Sequence, residues 1–396
     1  MTFSFCSSGL AQTFGPVSSY GELRLAFESA QDGDTILLSG DMAAYADEPL
    51  SSDAFIHLKS ENGAVVRGLH LHNAAVTFTG IALEDSLIVD GASHISLSSG
   101  VTVSGADGND ALSFTGSGAL IVERGCEIRG GASAAGISIH HNGGEFYSSI
   151  EGSVSGGSGS SGGTGMIVSP LKEGGALMIT GSIKGGSGAS LGGHALNLYD
   201  LSGNAYITVS GTLQGGDGAI GGDGIQVVSA GDQVNVGISG QVKGGQGESY
   251  GGNGLILMSA EGACSINLSG HFSGGDATGE DAQPGTSLQL VGDSAALRAR
   301  IDDCILEDGR HLRPTPIPTS EPTPEPTPDA ALPEDTEAPV EPTPADPVET
   351  PQPDPSPVPD ADPEPVIPED TPADIPEDAE DTSDPAEGTP GEANEE

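Results

Sequence analysis

LMITGSIKGG at 177–186, YITVSGTLQGG at 206–216, VNVGISGQVKGG at 234–245 and SINLSGHFSGG at 265–275 are one phrase written four times. Each copy ends on a Gly-Gly pair, and two earlier pairs stand at Gly130-Gly131 and Gly156-Gly157. From Gly130 onward the six pairs recur at steps of 26, 29, 30, 29 and 30 residues. A period of this length marks a solenoid, in which each repeat is one coil that buries its apolar face only against its neighbours.

Inside the repeat the apolar residues alternate with polar ones. One column reads Leu112, Ile137, Met166, Leu196, Ile225, Leu255, Leu288; a second, two residues later, reads Phe114, Ile139, Val168, Leu198, Val227, Leu257, Leu290. Ser113, Ser138, Asn197, Gln226 and Gln289 lie between them. Period two is the mark of a strand with one buried face. A third column precedes the Gly-Gly pairs (Ile128, Val154, Ile183, Leu213, Val242, Phe272), and a fourth lies four residues before the third (Ile150, Ile179, Val209, Ile238, Leu268). Between these two stands a glycine column, Gly152, Gly181, Gly211, Gly240, Gly270, in the inward phase. It reads as a corner where no side chain fits. The fold expected is all-β: a right-handed parallel β-helix with two or three short strands per coil.

Upstream, AFIHLKS, LHLHNAAVTFTG, SLIVD and HISLSSGVTVSG continue the alternation with shorter steps from Ala54. Ser19-Tyr20-Gly21-Glu22 fits a helical capping box, followed by Leu23, Phe27 and Ala30 at helical spacing, so a short helix is expected to cap the first coil. Residues 1–17 read as a disordered segment or the remnant of a signal peptide, 18–313 as the solenoid, and 314–396 as a stalk.

That last boundary is compositional. Of 62 glycines only Gly388 and Gly391 lie beyond Arg313, while 24 of the 28 prolines do. Residues 314–396 hold 25 Asp or Glu and no Lys, Arg, His or aromatic residue, so the sequence predicts a disordered, extended segment. The whole chain has 12 basic against 58 acidic residues, a formal charge of −46, which disfavours nucleic acid and anionic membrane surfaces as partners. No apolar run is long enough for a membrane span. Cys6, Cys126, Cys264 and Cys304 have no metal or redox spacing; Cys126 and Cys264 fall on apolar-phase positions and read as core residues.

The phrase YGELRLAFESAQDGDTILLSGD, residues 20–41, resembles the opening of parallel β-helix proteins of the pectate-lyase-like superfamily, in particular bacterial surface and secreted members. Leu23, Ala30, Gly33, Asp34, Thr35 and Ile36 carry the likeness. The stalk resembles the proline-rich wall-spanning segments of Gram-positive surface proteins, which implies association with a cell wall; no LPxTG-like sorting motif accompanies it.

Such folds host enzymes, so catalysis has to be argued from residues. The sequence has no Asn-Thr-Asp, Gly-His-Gly or Arg-Ile-Lys phrase of the polygalacturonase type. Arg124, Arg129, Lys184 and Lys243 are spread one per coil on outward phases, as on a solvated face. Two stacked polar columns are candidates for binding: Ser158, Ser187, Asp217, Gln246, Asp276, and Thr164, His194, Asp223, Asn253. Asp217 and Asp223 are the candidate calcium ligands, calcium being the one cofactor to weigh, although Gln226 stands where a calcium-binding nonapeptide repeat would place an Asp. Tyr250, in GGQGESYGGNG, is the candidate ligand-binding aromatic of an exposed loop. His70 and His72 share the outward face of one strand, with His57 and His94 at comparable phases.

The function expected is a secreted or cell-surface structural or adhesive β-helix, not an enzyme, with glycans or surface proteins as partners. Two alternatives stand beside it: a calcium-assisted module for acidic polysaccharides, and a divergent polysaccharide lyase or hydrolase.

Overall fold

The computed structural model describes residues 11–44, 48–141, 143–260 and 264–291, together with the backbone of 304–306 and 311–312. All of them belong to the unit Met1–Thr323. The stalk read at 314–396, residues 1–10 and the Cys6 position lie outside the described residues.

The chain forms a parallel β-solenoid of about eight turns. A single sheet of 27 strands makes its walls. The columns pair in the register expected. Leu112, Ile137, Met166, Leu196, Ile225, Leu255 and Leu288 are successive parallel partners. Ile150, Ile179, Val209, Ile238 and Leu268 do the same on a second wall, and Ile128, Val154, Ile183, Leu213, Val242 and Phe272 on a third. Leu198, Val227, Leu213 and Phe272 are fully buried. At roughly 1.5–3 kcal/mol for each aliphatic or aromatic side chain removed from water, these ladders supply the driving force for stacking. Cys126 and Cys264 are buried in the same core, and burial pushes the Cys126 thiol up to about 11.

At the corner between the second and third walls, a Cβ on Gly181 would stand 2.1 Å from the Gly152 carbonyl oxygen, and one on Gly240 2.1 Å from that of Gly211. Stacked backbones touch there, so the coils from Gly152 onward accept glycine alone at this corner, whereas the two coils before them place buried Cys126 and Val101 at the same position. A second set of glycines forms a continuous hydrogen-bonded ladder from coil to coil. Gly193 N–H donates to Gly186 O at 2.8 Å, Gly216 to Gly193 at 2.8 Å, Gly222 to Gly216 at 2.8 Å, Gly245 to Gly222 at 2.7 Å and Gly252 to Gly245 at 2.9 Å. The paired glycines are therefore the seam along which neighbouring coils are stitched.

Three features differ from the sequence reading. The solenoid begins before the helix: Thr13–Val17, inside the segment read as a disordered leader, is a strand paired with Thr35–Leu38. Its Gly15-Pro16 pair hid it, because both residues are rare inside strands except at edges. The helix Tyr20–Ser29 follows, with Ser19 as N-cap, and buries Tyr20, Leu23, Ala26 and Phe27. Ser19 Oγ accepts from Glu22 N–H at 3.3 Å, and the Glu22 carboxylate reaches one residue further back than the box requires, accepting the Ser18 N–H at 2.8 Å; that backbone donor, more than the weaker contacts with Ser19, holds Glu22 below the usual carboxylate range. Finally, the glycine-rich loops are a fourth wall. Gly159–Ser161, Gly188–Leu191, Gly218–Ile220 and Gly247–Tyr250 form a separate four-stranded parallel sheet. These strands are three or four residues long and mostly exposed, so they carry no buried alternation for a sequence reading to detect.

Candidate functional site

The small fourth sheet stands beside the wall that carries Leu196, Ile225 and Leu255, and the glycine seam runs between them. The result is a groove of about 720 Å³. On one side the in-register partners Leu191, Ile220 and Tyr250 form an apolar ladder. They are 47 %, 42 % and 51 % exposed, high values for large apolar side chains aligned in one row. On the other side stand Thr164, His194, Asp223, Asn253 and Thr286, one from each successive coil. At about 4.8 Å per coil, five coils give the groove a length of roughly 19 Å.

Asp223 organises the polar side. It is buried, and its carboxylate accepts from Gln226 Nε2 at 2.6 Å, from Asn253 N–H at 2.7 Å and from Asn253 Nδ2 at 3.1 Å. Asn253 Oδ1 in turn accepts from Thr286 N–H and Oγ1 at 2.9 and 2.7 Å. His194 Nδ1 lies 3.0 Å from the Asp223 N–H and 3.1 Å from its Oδ2. A neutral His194 accepts the N–H at Nδ1 and carries its own proton on Nε2; a protonated ring donates Nδ1–H to the carboxylate. Burial raises the Asp223 carboxyl, but the contact with His194 and the Asn253 N–H outweigh it, and the group lies below its usual range.

The structure brings two of the three predicted site residues together. Asp223 and Tyr250 line this groove. Asp217 lines a different, shallower concavity with Ser187, Gln246 and Glu248, where its Oδ1 accepts from Gln246 N–H at 2.8 Å. Asp217 and Asp223 therefore face separate surfaces, and a calcium ion at Asp223 would have to displace neutral donors already bound to both of its oxygens. Among the described residues no group of three or more His, Cys, Asp or Glu is arranged to hold a metal ion. Tyr250 sits at the end of a strand rather than in a loop.

His70 and His72 do face outward together, and both contact Asp90 of the next coil: His70 Nε2 lies 3.0 Å from Oδ2, and His72 Nδ1 touches Oδ1. Burial raises the Asp90 carboxyl, the two imidazoles lower it, and the imidazoles prevail. Arg129, Lys184 and Lys243 are exposed on the third wall. Sequence reasoning missed Leu191 and Ile220. Their only signal was a lone apolar residue before a Gly-Gly pair in GASLGG and GAIGG.

Comparison of the chain with protein-family models, with curated proteins and with solved structures finds no match. No helix among the described residues is long and apolar enough to cross a membrane.

Proposed function

We propose that this chain is a secreted or cell-surface adhesive β-solenoid whose lateral groove holds an extended neutral glycan along the stacking direction of the coils. The observation that carries the reading is the pair of facing ladders, Leu191–Ile220–Tyr250 against His194–Asp223–Asn253. A sugar chain has apolar C–H faces and hydroxyl edges, and this groove offers an apolar wall and a polar wall at each coil. The formal charge of −46 disfavours a polyanionic glycan. The resemblance of residues 20–41 to the pectate-lyase-like superfamily, and of the stalk to wall-spanning segments, supports display at a bacterial surface.

Screening against immobilised neutral oligosaccharides tests this. The wild type is expected to be retained in the presence of a chelator, and Tyr250→Ala to lose about tenfold in affinity, about 1.4 kcal/mol. Equal retention of the two proteins, or retention of neither, overturns the reading. The His194–Asp223 contact favours one second reading, a glycan-cleaving enzyme with His194 as the proton-transferring group. Release of shorter sugars by the wild type, and not by His194→Ala, would select it.

A further inference from the structure

A second cleft, of about 610 Å³, opens on the first coils, far in sequence from the groove. Its architecture follows from register. Phe55 pairs with Ala75, and Ala75 pairs with His94. Two rings thus stand on alternate coils, roughly 9.6 Å apart at about 4.8 Å per coil, with only a methyl group between them. An aromatic residue at 75 would fill that slot; alanine leaves it open. The floor is apolar, being Ala74, Ala75 and Ala92. Phe55 is 37 % exposed, and its ring packs edge-on against His57 with centroids 5.0 Å apart.

Two carboxylates line the same cleft, and no lysine or arginine does. Asp32 Oδ1 accepts the Phe55 N–H at 2.9 Å. The Asp53 carboxylate makes no hydrogen bond or ion pair with any described residue, although Arg24, Lys59 and Arg67 on these coils each pair with a glutamate. The cations nearby in sequence are engaged elsewhere, and the cleft keeps its negative charge beside an exposed aromatic ring.

We propose that this cleft binds a basic side chain, arginine or lysine, presented by an extended segment of a partner protein. The slot over Ala75 takes the flat guanidinium or the aliphatic stem between Phe55 and His94, and the charge lies beside Asp32 and Asp53. An aromatic face and an unpaired carboxylate both favour a cation, and they do so most where water is partly excluded. The field of a chain with net charge −46 draws polycations toward it. The inference does not depend on the groove holding a glycan.

The test must separate this cleft from general attraction to an acidic protein. A fluorescent peptide of alternating Arg and Gly is titrated into the full chain at physiological ionic strength by anisotropy. Asp53→Asn and Ala75→Phe are each expected to weaken binding at least tenfold, while Glu151→Gln, which removes the same charge from an exposed site on another coil, leaves it unchanged. Matching melting curves show that Ala75→Phe is folded, and Phe55→Ala, which empties the slot instead of filling it, is expected to weaken binding as well. If all variants bind as Glu151→Gln does, or the wild type does not bind, the proposal fails. If free arginine amide binds as tightly as the peptide, the occupant is a small amine and the assignment to a partner protein is wrong.

Discussion

Gly211 is stacked so closely on Gly181 that a Cβ on Gly211 would lie 2.0 Å from the Gly181 carbonyl oxygen. The obstacle is backbone, which cannot swing aside, so any side chain at 211 must push two coils apart. Gly211→Val is expected to destabilise the solenoid by about 3 kcal/mol or more, and Gln214→Val, three residues away with its side chain outside the core, by under about 0.5 kcal/mol. Urea denaturation of the two variants measures both. Equal midpoints would remove the case for a backbone contact at this corner.

Leu198 is fully buried between its register partners Val168 and Val227. Leu198→Ala should cost about 3 kcal/mol, through lost burial and a residual cavity. Leu198→Asp should cost more than about 4 kcal/mol, because an unpaired carboxylate enters an apolar stack. A Leu198→Asp protein that melts like its parent would show that this column does not face the core.

Asp223 sets the sign of an acid effect. Its carboxyl is lowered in the folded protein relative to an ordinary value of about 3.9. A depressed carboxyl contributes stability that is fully present above the ordinary value and is lost as pH falls through the folded one. Stability is therefore expected to decline below roughly pH 4, and Asp223→Asn should flatten that decline without abolishing it. Asp90, lowered by its two histidines but more exposed, keeps a smaller share with the same sign. Thermal melts from neutral to strongly acid pH measure the slopes, and parallel acid limbs for the two proteins would refute a role for Asp223.

The stalk reading predicts that removing residues 314–396 leaves the melting temperature of the solenoid within about 1 °C of the full chain, since 24 prolines and 25 like charges offer the coils nothing to pack against. Circular dichroism of the two proteins checks it. A drop of several degrees on deletion would mean that the segment stabilises the solenoid.

The period of about 30 residues and the inward columns are legible in the sequence because stacking repeats them. A residue such as Leu196 meets Met166 and Ile225 in register, so the repeat spacing is already the contact map of the core. The corner column at Gly181, Gly211 and Gly240 is legible for the same reason: an inward position that is glycine in five successive coils, from Gly152 to Gly270, announces a place with no room. The cap helix is written in local chemistry, in Ser19 and the spacing of Leu23 and Phe27. What only the tertiary structure decided lies where the local signal vanishes. The fourth wall is made of strands too short and too exposed to alternate, so Leu191, Ile220 and Tyr250 become a ladder only once coils are stacked. Asp223 reads in the sequence as a candidate calcium ligand of a glycine-rich loop. Donors from its own coil and the next, Gln226 and Asn253, occupy its oxygens, and His194 of the coil before accepts its N–H. The cleft between Phe55 and His94 exists because Ala75 falls between them in register. Periodicity specifies which residues face the core. The walls, grooves and hydrogen-bond partners of the outer surface depend on neighbours 17 to 36 residues away in sequence, and only the stacked fold brings those together.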